Sequence, residues 1–130
     1  MASIRLEMAL HADPANVWDA VRDVGAIHTR LAPGFVTDVK LDGDARIVTF
    51  ANGMVAKELI VDQDDAAWRL VWSIVGGRMT HHNGSIQVLP VADGCRLVWI
   101  ADILPNELKG PIQAMMQQGM DAMKKKLESA

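Results

Sequence analysis

Hydrophobic and polar positions along this chain first follow a period of two, then of three to four, then of two again, and finally of three to four. Ile4, Leu6, Met8 and Leu10 alternate with Arg5, Glu7 and Ala9, the pattern of a strand with one buried face that ends near His11. Asp13 and Pro14 then supply a helix cap and a first-turn proline, and Val17, Trp18, Val21 and Val24 form the apolar face behind them, predicting a short helix over 13–23. Gly25 breaks it, and 26–31 offers one more helical turn before Pro33-Gly34.

Between residues 35 and 104 the period returns to two. FVTDVKL, ARIVTF, MVAKELIVD, WRLVWSIV, RMTHHNGSIQVL and CRLVWIADIL are separated by turn residues: Asp42-Gly43-Asp44, Asn52-Gly53, a Gln63-Asp64-Asp65 bend, Gly76-Gly77, Pro90 and Asp93-Gly94. Such short connections make sequential antiparallel hairpins, so seven strands are expected, counting the first. Pro105-Asn106 closes the last of them.

A terminal helix follows, interrupted early by Gly110-Pro111 and regular to about Leu127. Ile112, Met115, Met116, Gly119, Met120, Met123 and Leu127 form one stripe on it, with Gln113, Gln117, Asp121, Lys124 and Lys125 opposite. Methionine is flexible and polarizable, and a mid-helix glycine costs about 1 kcal/mol relative to alanine, so this face reads either as packed core or as the wall of a ligand cavity. A sheet with one apolar face needs a cover, and the terminal helix is the one long amphipathic element available. The predicted architecture is α+β: a seven-stranded antiparallel curved sheet wrapped around a long C-terminal helix, with one or two short helices between strands 1 and 2.

The length of 130 residues, half of them hydrophobic, suits one domain over 1–130. A net charge of −3 argues against a general electrostatic hold on nucleic acid or anionic lipid, and Lys124-Lys125-Lys126 reads as a solvated helix end. The single cysteine, Cys95, excludes an internal disulfide and an all-cysteine zinc site. His81 and His82 point to opposite faces of a regular strand, and His11 and His28 are far from them in sequence, so no metal site is expected. Without a leader or a membrane-length apolar run, the expectation is a cytoplasmic protein, monomer or homodimer, without stable membrane insertion or a cofactor.

The strings DPANVWDAVRDV, KELIVDQDD, LVWSIVGG, GSIQVLP and CRLVWIADILP, in this order and followed by the helix, resemble the START-like or helix-grip superfamily. That group includes birch-pollen-allergen-type proteins, plant abscisic acid receptors and the small bacterial polyketide cyclase/dehydrase-like proteins, to which this chain looks most similar. The resemblance implies a deep, largely apolar cavity between sheet and terminal helix that takes a lipid, aromatic polyketide or similar small hydrophobic molecule. It carries no universal catalytic set. Asn52-Gly53 and Gly76-Gly77-Arg78 occupy positions similar to the gate and latch loops of the receptors, without the receptors' gate sequence.

Strand alternation selects the inward positions. Leu70, Trp72 and Ile74 share one face, as do Leu97, Trp99, Ala101 and Ile103; Ile86 and Val88 place Gly84, His82 and Thr80 with them. MVAKELIVD can be phased with Glu58 inward or with Lys57, Leu59 and Val61 inward. The expected ligand-binding residues are Trp72, His82, Gly84, Trp99, Met116, Gly119, Met120 and Met123. Gly119 is expected to widen the cavity beside Met116 and Met120. Glu58 and His82, if paired, are candidate acid and base for an aldol-type cyclisation or dehydration, the alternative function. A second alternative, a partner-binding module similar to the co-chaperone members of the superfamily, predicts an exposed apolar patch, whereas the outward strand positions read as charged.

Overall fold

In the computed structural model, which describes residues 1–129, the chain runs β1 (Ala2–Leu10), α1 (Pro14–Arg22), a π-type turn (Ile27–Leu31), β2 (Val36–Asp42), β3 (Ala45–Phe50), β4 (Val55–Asp64), β5 (Arg69–Val75), β6 (His81–Val91), β7 (Gly94–Leu104), a 3-10 turn (Asn106–Leu108) and α2 (Lys109–Glu128). The seven strands form one curved antiparallel sheet in the order β1-β7-β6-β5-β4-β3-β2. Among the described residues only the β1–β7 pairing joins strands distant in sequence; every other neighbour is a hairpin partner.

Local chemistry sets the boundaries. The Asp13 carboxylate accepts from Ala15 N at 3.1 Å, capping α1, and Pro14 occupies its first turn. Val17, Trp18, Ala20 and Val21 bury the inner face of α1, and the Trp18 indole N–H donates to Asp65 at 2.9 Å, tying α1 to the β4–β5 turn. The second helical segment closes with an Ala32 N to Ile27 O bond of 2.7 Å. β6 runs one residue past Pro90. β5 leaves the ladder at Gln87, so a residue with no N–H to donate fits beside the hairpin turn. β4 is longer than its sequence pattern and slips register between Ile60 and Asp62.

The concave face carries Ile4 and Leu10 of β1, Leu97, Ala101 and Ile103 of β7, Ile86 and Val88 of β6, and Leu70 and Trp72 of β5. Met116, Gly119, Met120 and Met123 of α2 are buried against it. At the C-terminal end of α2 the Glu128 carboxylate accepts from His11 N at 2.8 Å and from Lys124 Nζ at 3.3 Å, fastening the helix to the end of β1.

Candidate functional site

The two glycines among the predicted site residues are both places where an indole ring comes close. A Cβ on Gly84 would stand 2.5 Å from Trp72 Cε2, so Trp72 lies flat over the backbone of the neighbouring strand. A Cβ on Gly119 would stand 2.9 Å from Trp99 Cζ3 and 3.0 Å from Phe35 Cε2. Gly119 therefore does not widen a cavity in this state; Trp99 and Phe35 take up the space its side chain leaves. The two indoles meet at 6.3 Å between centroids with planes 56° apart. Trp72, Gly84, Trp99, Met116, Gly119, Met120 and Met123 thus converge on the interface of the concave face and α2.

Glu58 faces inward, which settles the phase of β4 and leaves Lys57, Leu59 and Val61 outside. Its partner is Arg46 and not His82: Arg46 Nε donates to Glu58 Oε1 at 2.8 Å, and both residues are buried. Arg46 Nη1 also donates to the Val24 carbonyl at 3.3 Å, and the guanidinium stands 5.4 Å from the Trp72 ring centroid. Burial pushes the Glu58 carboxyl up, against the opposing pull of the Arg46 guanidinium.

Glu58 is still in line with His82. The ladders pair Arg46 with Glu58 and Glu58 with Ile74, and the β5–β6 ladder ends at Ser73 opposite Asn83, so that His82 follows next to Ile74 in the same alignment. These side chains form one row across four adjacent strands. At about 4.8 Å per strand, the Glu58 and His82 backbones are roughly 10 Å apart with Ile74 between them, and the Glu58 carboxylate is bonded to Arg46 instead. His82 Nδ1 is buried with no hydrogen-bond partner. Burial, with a smaller contribution from His81, lowers the His82 pKa to about 4, so the imidazole is neutral near pH 7. His28 Nδ1, on the π-type turn, is also buried and unpartnered.

A cleft of about 350 Å³ opens between α2 and the loops at 33–35 and 50–52, with Met115, Ala122 and Lys125 on its helix side. Phe35 and Phe50 line it as an edge-to-face pair 5.4 Å apart. Phe35 also touches the space beside Gly119, so one ring separates the cleft from the Trp99 end of the interior. A second cleft of about 370 Å³, among His11, Asn16, Arg30, Lys126 and Glu128, contains none of the predicted residues.

Arg46, Phe35 and Phe50 escaped the sequence reading. A signal existed: Arg46 is in phase with Val48 and Phe50 along ARIVTF, so burying those two carries the arginine inward. The convex face also differs from its expected charged character, because Val55, Leu59, Val61 and Val75 are exposed around Lys57. No group of three or more metal-ligating side chains occurs among the described residues, and no described helix is long and apolar enough to cross a membrane.

Solved structures with the same architecture include XoxI from Bacillus cereus (18% identity, TM-score 0.87, covering 99% of this chain and 97% of that one). A Thermobifida fusca protein is 28% identical, with TM-score 0.78 and coverage of 95% and 91%. Norcoclaurine synthase from Thalictrum flavum, in complex with dopamine and hydroxybenzaldehyde, is 19% identical, with TM-score 0.69 and coverage of 95% and 84%. No curated protein matches the sequence. Residues 1–128 match the model of the family described as polyketide cyclase / dehydrase and lipid transport, and with its seven-stranded sheet gripping a C-terminal helix this chain belongs to that family.

Proposed function

We propose that this protein binds a small, largely apolar molecule between the concave sheet and α2, entering past Phe35 and Phe50 and displacing Trp99 from the Gly119 surface it covers, beside Trp72. The observation that carries this reading is His82. A buried ring nitrogen without a partner, on a wall of tryptophan, methionine and aliphatic side chains whose charged groups, Arg46 and Glu58, already satisfy each other, is a polar group that a ligand could satisfy. Methionines at 116, 120 and 123 tolerate the repacking that entry requires, since the thioether chain rearranges at little energetic penalty. The norcoclaurine synthase relative holds two small aromatic molecules, which supports an aromatic ligand here.

The test is direct. Titration with a hydrophobic dye should quench tryptophan emission and stabilise the fold, and Gly119→Leu should abolish both effects, because its side chain would push into Trp99 and Phe35. Equal dye binding by wild type and variant would place the dye elsewhere.

A second reading has its own support. Glu58 has a raised carboxyl pKa and shares a face with His82, an arrangement in which neutral His82 would take a proton alpha to a ligand carbonyl and protonated Glu58 would give one to a departing hydroxyl, with release of water. It requires Glu58 to carry a proton while bonded to Arg46, whose charge favours the carboxylate, which makes binding without turnover the favoured reading. The exposed valines and Leu59 of the convex face fit the partner-binding alternative, but no neighbouring feature there selects a partner.

A further inference from the structure

The row of polar groups on the concave face points to the chemical class of the ligand. We infer that the site selects a neutral apolar molecule bearing a hydroxyl group, in preference to a carboxylate or a molecule with acceptors alone; this rests on the binding reading above.

Charge comes first. The one cation in the row, Arg46, is already neutralised by Glu58 at 2.8 Å, and His82 carries no charge near neutrality. A ligand carboxylate would bring a third, uncompensated charge into an interior where Trp72 and Met116 are buried. It would enter only by taking up a proton, which is unfavourable near neutral pH.

Hydrogen bonding points the same way. Glu58 leaves no buried oxygen without a partner, so the unmet group of the row is His82. His82 Nδ1 has no partner, and a neutral imidazole nitrogen either donates or accepts according to tautomer. A hydroxyl answers either tautomer, whereas a carboxylate or an ether answers only the N–H form. A hydroxyl is therefore the group that satisfies His82 Nδ1 in either form, donating to the bare nitrogen or accepting from the N–H. Ile74, lying between Glu58 and His82, provides the apolar floor over which such a group would sit.

The experiment compares para-butylphenol, para-butylanisole and para-butylbenzoate near neutral pH, reading affinity by calorimetry and location by the indole N–H resonances of Trp72 and Trp99 against those of Trp18 and Trp68. The phenol should bind at least about tenfold more tightly than the anisole, although the anisole is the more hydrophobic, and tighter again than the benzoate. His82→Phe should bring phenol and anisole together. Anisole or benzoate binding as tightly as the phenol, with the Trp72 and Trp99 signals shifting, would overturn the hydroxyl preference while leaving the binding reading intact. If none of the three moves those signals, both fall.

Discussion

Replacing Gly84 by alanine tests the packing on which the site depends. The new Cβ would lie 2.5 Å from Trp72 Cε2 and 2.7 Å from Cζ2 and Nε1, whereas carbon atoms pack at about 3.5 Å or more, so the indole must retreat by roughly 1 Å. It has little room to do so. Trp99 stands 6.3 Å away on one side, and Arg46, held by Glu58, lies 5.4 Å from the ring. Overpacking of this kind typically costs about 1–3 kcal/mol, while removing a strand glycine returns about 0.5–1 kcal/mol through lost unfolded-state entropy. The expected outcome is a net destabilisation of about 1–2 kcal/mol. Urea unfolding followed by far-ultraviolet circular dichroism measures it without relying on tryptophan emission, which the substitution itself alters. The decisive comparison repeats the change in a Trp72→Leu background, where the obstructing ring is gone and Gly84→Ala should be neutral or slightly stabilising. An equal effect in both backgrounds, or a Gly84→Ala protein as stable as the wild type, would refute the stacking of Trp72 on Gly84.

Three further outcomes follow from the same geometry. Glu58→Gln should lower stability by about 3 kcal/mol in urea unfolding, because it leaves Arg46 charged and buried, and a joint Arg46→Met, Glu58→Leu replacement should recover most of that loss. His82 has a folded-state pKa of about 4, below its ordinary 6.5, so its contribution to stability is complete above pH 6.5 and is lost as pH falls toward 4. Allowing for the partial exposure of the ring, about 1–2 kcal/mol of acid sensitivity should appear in that window and be absent from His82→Phe. Phe35→Ala should raise the association rate of a hydrophobic dye by about tenfold in stopped-flow fluorescence, by removing the ring between the cleft and the Trp99 end of the interior; an unchanged rate would mean that ligands enter elsewhere.

Much of this protein is legible in its sequence, because its elements are specified locally. The Asp13-Pro14 start of α1, the β3 segment at 45–50 and the hairpin turns follow from backbone chemistry within a few residues, and the period-two pattern identified Trp72, Gly84 and Trp99 as inward without reference to their neighbours. The methionine stripe of α2 likewise identified Met116, Met120 and Met123 as its buried face.

What remained undecided depended on which strands stand side by side. MVAKELIVD admits two phases by pattern alone. Arg46, brought opposite Glu58 by the β3–β4 ladder, gives the inward carboxylate its partner and excludes His82 from that role. Gly119 read as a hollow because a sequence shows the missing side chain but not the rings of Phe35 and Trp99 that fill the space. The sequence, then, determined the elements, their order and the inward faces, since these follow from local periodicity and turn chemistry. Only the tertiary structure decided the pairing of Arg46 with Glu58, the indoles lying over the two glycines and the solitary nitrogen of His82, because contact between residues distant along the chain depends on register and on how the sheet curves around α2.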